Sequence, residues 1–580
     1  MNAMPRETLH YDVVVVGGGP AGLAAAWSLA RQGGIRVCLL EKAARMGGHT
    51  LSGALIDPKV LEPLLVAPLP EGLPLPPLGT RVEAESLLYL TARRAWPLPL
   101  PADWWHWGEH VLSLGKLVRW LAACAEQAGA DLFPGFAAVA PLWQGEQMVG
   151  VLTGAHGRDR HGQPKLGFQP GVAIRAPITI LAEGCRGSLS ESLIRHLRLR
   201  RQGSPQSYAL GFKELWEIPR AWSGPLLHTL GWPLPAAIPG GGFLYPAGEN
   251  RVAVGFAVAL NYRNPWFDPF HAFQHWKRHP RVCSLLADGR YLAGGARTIS
   301  LGGWQSLPEP AFAGGLFIGD ALGLFDAARM QGIGSAITSG LLAADVVRTL
   351  HASGDFSRQA LQLWTETLHA SPLMARLRRV RNIQPGFRAG RIPGMLGAAW
   401  EGLSGGRSPW TWRWRQRDRE RLLLANDCPV FPFPVADGAL VLDRATALAG
   451  SGIRHDPDQP LHLLRRPLPG GEGGDDGKGS GLKGGEEAAT WAFVADSPVV
   501  AGGVGNQNVD IRTGLPDPFA YPETRYCPAG VYRLPVHSGQ LVRVQAADCL
   551  HCKCCDIKDP RDTLRWTPPE GGSGPDYRDL

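Results

Sequence analysis

The apolar pattern near the front of the chain predicts a strand, a helix and a second strand in close succession. Residues 11–16 are Tyr-Asp-Val-Val-Val-Val, a β-branched run typical of a buried parallel strand. Residues 23–31 are rich in alanine and predict a helix, and residues 35–40 predict the second strand. Apolar runs at 178–182 and 315–319 predict further strands. Alternating strands and helices indicate an α/β fold with a parallel sheet.

The predicted first strand and helix are joined by a glycine-rich turn. Its sequence, Gly17-Gly18-Gly19-Pro20-Ala21-Gly22, has the spacing in which Gly17 makes the turn, Gly19 admits a pyrophosphate and Gly22 packs the helix closely. The second strand ends at Glu41, whose carboxylate can accept hydrogen bonds from ribose hydroxyls. Together these features predict a Rossmann-like dinucleotide site.

A second set of segments indicates FAD as the dinucleotide. The strand at 315–319 runs into Asp320, and Gln331-Gly332-Ile333-Gly334 opens an alanine-rich helix. Asp320 would contact the ribityl or pyrophosphate region of FAD. The helix N-terminus that carries Gly332 and Gly334 would stabilise negative charge on the reduced flavin ring. Taken alone, Asp320 could equally be a helix cap.

Four cysteines near the C-terminus indicate a second redox centre. Cys549, Cys552 and Cys555 form a Cys-x2-Cys-x2-Cys run that can present three thiolates to a [4Fe-4S] cluster, with Cys527 as the fourth ligand. A structural zinc site could also accept four thiolates. The other six cysteines, which include Cys554, are not needed as ligands, and such spare thiols are typical of a reducing compartment.

The charge of the chain is concentrated in one segment. The 580 residues carry a formal net charge of +8, and residues 374–421 contain twelve arginines against three acidic residues. Within this segment, residues 392–400 are apolar, but nine residues are too few to cross a bilayer. Trp410, Trp412 and Trp414 follow. Arginine and tryptophan beside a short apolar run favour attachment to one membrane leaflet, with a solvated basic helix or a nucleic-acid patch as the alternative.

Several longer stretches resemble one protein family over nearly the full chain, the electron transfer flavoprotein-ubiquinone oxidoreductases. They include 48–54 (GHTLSGA), 241–245 (GGFLY), 273–277 (FQHWK), 524–532 (TRYCPAGVY), 549–560 (CLHCKCCDIKDP) and 569–577 (PEGGSGPDY).

The resemblance implies an oxidoreductase that takes electrons from reduced electron transfer flavoprotein and passes them to ubiquinone. It implies one FAD and one [4Fe-4S] cluster, and it places the quinone headgroup against backbone groups of Gly240 and Gly241, although glycines also suit a turn between strands. Tyr532 and Cys554 would tune the cluster. No acid–base triad is expected. The expected partners are the electron transfer flavoprotein, ubiquinone and lipid, with no nucleic acid.

The resemblance also implies a domain layout and a location. The predicted fold is α/β with α+β parts and a ferredoxin-like C-terminal domain. We expect a discontinuous FAD domain (1–58, 106–202 and 312–350), a ubiquinone-binding and membrane-contact domain (59–105, 203–311 and 351–424) and an iron–sulfur domain (425–580) with a flexible loop at 469–487. The resemblance implies a monotopic protein, which sits in one leaflet without crossing it. Only ten residues precede the first strand, too few for a signal or transit peptide, so we expect the cytoplasmic face of a bacterial inner membrane.

Two rival functions stay open on the sequence. One is a soluble FAD-dependent monooxygenase or reductase whose C-terminal domain is stabilised by zinc, and the other is a membrane-bound scaffold that has lost electron transfer. A smaller question concerns Val111, Leu114, Leu117, Val118 and Leu121, whose helical spacing near three tryptophans fits either core packing or a lining for the isoprenoid tail.

Replacing Cys554 should change the potential of the cluster. The family typically has a threonine at this position, whose hydroxyl donates to a cluster sulfur, and a thiol is a weaker donor. We expect the Cys554→Thr variant to have a higher cluster potential than the wild-type protein, measured by redox titration. An unchanged potential would contradict a tuning role.

Overall fold

The computed structural model describes residues 6–53, 55–66, 69, 72–101, 104–200, 203–222, 224–248, 250–433, 435–465, 517–534, 542–577 and 579–580. The loop predicted at 469–487 lies outside these residues.

The strands in the described part of the chain are β1 Thr8–His10, β2 Val13–Val16, β3 Val37–Glu41, β4 Leu55–Ile56, β5 Thr80–Arg81, β6 Glu85–Leu90, β7 Ala95–Leu98, β8 His110–Val111, β9 Asp131–Pro134, β10 Ala138–Gln144, β11 Gln147–Thr153, β12 His156–Arg158, β13 Pro164–Gln169, β14 Ala173–Arg175, β15 Ile178–Leu181, β16 Tyr208–Glu217, β17 Leu226–Gly231, β18 Gly240–Pro246, β19 Arg251–Ala259, β20 Arg290–Ser300, β21 Ala311–Phe312, β22 Gly315–Phe317, β23 Leu463–Arg465, β24 Tyr532–Arg533, β25 Arg543–Val544 and β26 Leu564–Trp566.

The α-helices in the same residues are α1 Pro20–Ala30, α2 Glu62–Leu65, α3 Leu114–Gln127, α4 Ser188–His196, α5 Pro269–Lys277, α6 Pro280–Leu286, α7 Gly319–Leu322, α8 Ile333–Ser353, α9 Gln362–Ala370, α10 Pro372–Arg379, α11 Ile383–Arg388, α12 Arg391–Ser404, α13 Arg444–Ala449, α14 Glu523–Tyr526 and α15 Cys554–Lys558.

The first core is built on a six-stranded sheet in the order β21-β22-β15-β2-β3-β9. Its strands are parallel except at the β21 edge. Every residue of β2 is buried, as expected for a strand covered by helices on both faces. The sheet confirms the predicted Rossmann-like arrangement, and the observed strand ends differ from those of the apolar runs by at most two residues.

Helices α1, α3 and α8 cover this sheet and complete its core. Helix α8 is long and apolar enough to cross a membrane, but it packs against α1, and Ala343, Ala344 and Val347 are buried. In α3, Leu117, Val118 and Leu121 belong to the same core. Core packing is therefore the correct interpretation of the apolar stripe on α3, and the tail-lining hypothesis for Leu117 is wrong.

The second core is built on a seven-stranded sheet in the order β20-β16-β19-β18-β17-β6-β7. Its strands pair antiparallel except for β17 with β6. Strands β6 and β7 precede α3 in the chain, whereas the other strands follow β15, so the two units are interleaved along the sequence. Helix α5 packs on this sheet, and the Lys277 ammonium on α5 pairs with Glu214 at 2.8 Å inside the core.

The C-terminal residues extend the second core. Cys527, Cys549, Cys552 and Cys555 lie in the same apolar cluster as Phe212 and other side chains of the seven-stranded sheet. Residues 356–377, by contrast, contribute Phe356, Trp364, Leu377 and neighbouring apolar side chains to the first core. The domain boundaries given above stay predictions.

Candidate functional site

A single cavity of about 1020 Å³ runs between the two sheets. At one end it is lined by the glycine-rich turn after β2, and at the other by apolar residues of α12. Residues of β17 and β18 form the wall between these ends. The cavity therefore connects the predicted dinucleotide site with the predicted quinone site.

The dinucleotide end has the local geometry that its sequence predicts. The backbone N–H of Gly18 donates to Glu41 Oε2 and that of Ala43 donates to Glu41 Oε1, both at 2.8 Å, so the carboxylate is held at the cavity wall. A Cβ added at Gly19 would meet nothing within 4 Å, whereas one added at Gly22 would lie 2.1 Å from the Gly17 carbonyl oxygen. Gly19 thus leaves room for a ligand, and Gly22 allows the close packing of α1.

Asp320 and the start of α8 lie at the same end. Burial raises the pKa of Asp320 to about 6, although Ser300 and Arg297 oppose the shift. Its Oδ1 atom is buried and has no hydrogen-bond partner among the described residues. A buried polar atom of this kind is expected to bond to a ligand. Gly332 lines the cavity, but Gly334 packs against Val60 instead.

Three cationic side chains that motif spacing did not identify also line this end. They are Lys42, Arg297 and Lys553. Burial lowers the pKa of Lys42 to about 7 and that of Lys553 to about 8. The guanidinium of Arg297 donates to the His49 carbonyl oxygen at 2.6 Å. Lys42 directly follows Glu41, and Lys553 lies between Cys552 and Cys554. Their position next to motif residues is the sequence feature that could have identified these two lysines as site residues.

The predicted quinone glycines lie in a strand rather than in a turn. Gly240 and Gly241 begin β18, and both line the cavity. A Cβ at Gly240 would lie 2.3 Å from the Ala257 carbonyl oxygen, and one at Gly241 would lie 2.1 Å from that of Thr229. Close strand packing alone therefore requires glycine at both positions. Contact of their backbone groups with a quinone headgroup stays a prediction.

The four predicted ligand cysteines are gathered in one buried place. Each is 6 or 7% exposed, whereas Cys554 is 0% exposed. Burial raises the pKa of Cys552, and the neighbouring thiols, led by Cys554, raise it further. Four desolvated thiols that interact electrostatically with one another are unfavourable as thiolates unless a metal centre takes their charge. The arrangement fits an iron–sulfur cluster.

The two predicted tuning residues lie close to the ligand cysteines. Burial raises the pKa of Tyr532, and the neighbouring Cys555 raises it further. Cys554 begins α15 and is enclosed on the side of Tyr262 and Lys558. Both roles stay predictions.

A Rossmann-like dinucleotide site and four buried cysteines in one chain define a flavoprotein with a fused iron–sulfur domain. Three sequence-family models match this chain: an ETF-QO ubiquinone-binding domain at 208–299, an electron transfer flavoprotein-ubiquinone oxidoreductase 4Fe-4S domain at 499–578 and an NAD(P)-binding Rossmann-like domain at 15–63.

Full-length relatives agree with these matches. The mitochondrial electron transfer flavoprotein-ubiquinone oxidoreductase of Oryza sativa subsp. japonica is 39% identical over 99% of this chain and 93% of that protein. The Homo sapiens protein of the same name is 37% identical over 100% of this chain and 90% of its own length. This chain belongs to the electron transfer flavoprotein-ubiquinone oxidoreductase family.

A solved structure supports the fold. A geranylgeranyl bacteriochlorophyll reductase-like protein from Thermoplasma acidophilum superposes with a TM-score of 0.54 at 20% identity, over 69% of this chain and 98% of that protein. The likeness concerns the fold alone.

A side chain at Gly19 should block FAD binding without unfolding the protein. Because a Cβ added at Gly19 meets nothing within 4 Å, we expect Gly19→Val to retain its iron but to bind FAD about tenfold or more weakly, equivalent to about 1.4 kcal/mol. The flavin-to-iron ratio of the purified protein measures this effect. Gly402→Val is the matched control, because a Cβ at Gly402, at the far end of the cavity, also meets nothing within 4 Å. Equal flavin loss in both variants would contradict the assignment.

Proposed function

We propose that this protein transfers electrons from reduced electron transfer flavoprotein to ubiquinone at a membrane surface. The observation that carries the proposal is the single cavity, which joins the FAD end to Gly240 and Gly241 and passes Lys553 of the cysteine loop. Family membership supports the same activity. FAD and the [4Fe-4S] cluster supply the electron carriers, and the protein side chains position them.

Specific residues hold FAD in this proposal. Glu41 would accept hydrogen bonds from the ribose hydroxyls, and Gly17 and Gly19 would leave room for the pyrophosphate. Asp320 would contact the ribityl or pyrophosphate region of FAD. Lys42, Lys553 and the N-terminus of α8 place positive charge at the same end of the cavity. Positive charge at this end would stabilise negative charge on the reduced flavin ring.

The quinone end is built to accept an apolar tail. Phe243 and Tyr245, stacked with ring centroids 4.5 Å apart, lie beside Gly241 on the cavity wall. Further along the cavity come Met395 and Leu403 of α12, which are 41% and 88% exposed. Since both residues reach solvent, the cavity opens at α12. A quinone could therefore enter from a membrane that covers this helix.

Membrane attachment through α12 is supported by its exposed apolar face. Ile392, Met395, Leu396, Trp400 and Leu403 are all at least 41% exposed. Such a face on a helix flanked by cations is typical of interfacial binding.

The arginines around α12 divide into two groups. Arg388 pairs with buried Asp418 at 3.0 Å, and Arg391 donates to Tyr89 Oη at 3.1 Å and to the Leu234 carbonyl oxygen at 3.0 Å. These arginines hold the segment on the protein. A second group faces solvent, where it can contact anionic lipid: Arg378, Arg379, Arg407, Arg413 and Arg415. We retain the cytoplasmic face of a bacterial inner membrane as the predicted location, whereas the names of the relatives describe mitochondrial proteins.

The proposed activity is tested by quinone reduction driven by reduced electron transfer flavoprotein in detergent. We expect reduction of a short-tail ubiquinone that depends on the flavoprotein donor, by a protein with flavin bands, a broad iron–sulfur shoulder and a reduced-cluster EPR signal. NADPH replaces the donor as a control, because the rival monooxygenase or reductase would use a hydride donor. Zinc in place of iron, with NADPH-driven flavin reduction, would support that rival instead.

Charges on the exposed face of α12 should release the protein from membranes. We expect Ile392→Glu combined with Leu396→Glu to weaken binding to vesicles of phosphatidylcholine and phosphatidylglycerol about tenfold to hundredfold, because two apolar side chains lose their burial in lipid. Vesicle co-sedimentation measures the change. Leu166→Glu is the matched control, since Leu166 on β13 is fully exposed and lies outside the basic segment. Unchanged binding in the double variant would contradict attachment through α12.

A further inference from the structure

One face of the seven-stranded sheet carries polar side chains beside the quinone glycines. In the sheet register, Glu85 on β6 lies opposite Leu226 on β17, and His228 lies opposite Phe243 on β18. Opposed residues share a face of a sheet, and so do residues two positions apart on one strand. Glu85, His228 and Tyr245 therefore lie on the same face as Gly241. Of these, His228, Tyr245 and Gly241 line the cavity.

The polar groups form a connected row that leads away from the cavity. Tyr245 Oη lies 3.5 Å from His228 Nδ1, and His228 Nε2 lies 3.7 Å from Glu85 Oε1. On the far side of the carboxylate, His106 Nδ1 lies 2.7 Å from the same Oε1, and the His106 backbone N–H donates to Oε2 at 2.8 Å. Glu85 thus lies between the imidazoles of His228, on the cavity wall, and His106. His106 belongs to the surface loop that carries the exposed Trp105 and Trp107.

The row is buried and incompletely satisfied. The Nε2 atoms of both His106 and His228 have no hydrogen-bond partner among the described residues. Burial opposes the shift, but the hydrogen bonds from His106 and the nearby His228 imidazole lower the pKa of Glu85 to about 2, so it is a carboxylate at neutral pH. Burial lowers the pKa of His228, and Glu85 opposes this effect. The protonated form of His228 therefore depends on the Glu85 carboxylate beside it.

We propose that His228 donates protons to the quinone through the Tyr245 hydroxyl, and that Glu85 and His106 are positioning residues that orient it and favour its protonated form. The inference rests on the proposed function, which supplies the electrons. Reduction of a quinone adds two electrons and two protons, and each C=O becomes C–OH.

The proton steps balance along this row. Protonated His228 loses its Nδ1 proton to the Tyr245 oxygen as the Tyr245 proton passes to a quinone oxygen, so an N–H bond breaks and an O–H bond forms. The Nε2 proton of His228 stays directed at Glu85. The His228 side chain is 13% exposed, so solvent in the cavity then protonates Nδ1 again, and the second proton follows the same route.

The surrounding charges set the expected pH dependence. His228 faces Glu85 from β6, His106 from the surface loop and Tyr245 from β18. The next charged groups are Glu109 and Arg329, which pair at 2.7 Å and balance each other. The Glu85 carboxylate is therefore the main charge that acts on both His106 and His228. Because the protonated imidazole is the donor, quinone reduction should slow as the pH rises through the pKa of His228.

The test follows oxidation of the chemically reduced holoenzyme by a short-tail ubiquinone between about pH 4.5 and 8, a range that extends below the ordinary histidine pKa because burial lowers the pKa of His228. We expect His228→Gln to lower kcat about a hundredfold, to remove the pH dependence and to change KM little. His110→Gln is the matched control, because His110 is half-buried nearby and is not among the cavity-lining residues. Iron and flavin contents verify that each variant is loaded.

Two further variants separate a proton donor from a structural residue. Glu85→Gln removes the negative charge that favours protonated His228, so the fall in rate should move to lower pH. His228→Ala should regain activity when imidazole is added to the buffer. A wild-type rate and pH profile in His228→Gln, or the absence of rescue by imidazole, would overturn the proposal and leave the proposed function intact. Failure of the wild-type holoenzyme to reduce quinone would overturn both.

Discussion

The structure depends on a buried ion pair that joins the dinucleotide unit to the cysteine loop. Arg186, which follows β15, contacts Asp556, which follows Cys555, with Nη2 and Oδ1 3.1 Å apart and both side chains 11% exposed. Arg186 also pairs with Glu191 at 3.3 Å and Asp556 with Arg565 at 2.7 Å, so the junction is a network of four buried or half-buried charges. Two further bonds reinforce the junction: Lys553 Nζ donates to the Arg186 carbonyl oxygen, and Thr298 Oγ1 donates to that of Cys552. Electron transfer weakens steeply with distance, so this junction holds the cluster site next to the flavin site.

The cavity extends this arrangement from the cofactors to the surface. Its inner end is lined by glycines and buried cations, its middle by β17 and β18, and its outer end by exposed apolar residues of α12. This change from polar to apolar lining matches a ligand with a polar head and a long hydrocarbon tail. The proposed proton donors lie on the middle wall, where the headgroup would meet protein. The proposed functions of electron transfer, proton delivery and membrane attachment therefore share one continuous space.

The composition of the basic segment predicts its total charge but not the role of each arginine. The sequence predicted a short apolar run among arginines and tryptophans, and α12 has that exposed face. It did not distinguish Arg388 and Arg391, which bond to the protein, from Arg378 and Arg407, which face solvent. Their partners, such as Asp418 and Tyr89, are distant in the sequence or lie on other elements. Composition reports a total charge, whereas the fold decides which part of that charge is available to a membrane.

The sequence by itself determined the strand–turn–helix of the dinucleotide site, the cysteine set and the family, because each depends on residues close together in the chain or on long ordered matches. A glycine turn between β2 and α1 is a local property, and so is the spacing of Cys549, Cys552 and Cys555. Only the tertiary structure placed Lys42 beside Lys553, or Glu85 between His106 and His228. These groups come from separate elements: the pairing of β6 with β17 brings Glu85 and His228 together, and the loop before β8 adds His106. Contacts across a sheet have no fixed spacing in the sequence, so no local pattern could predict them.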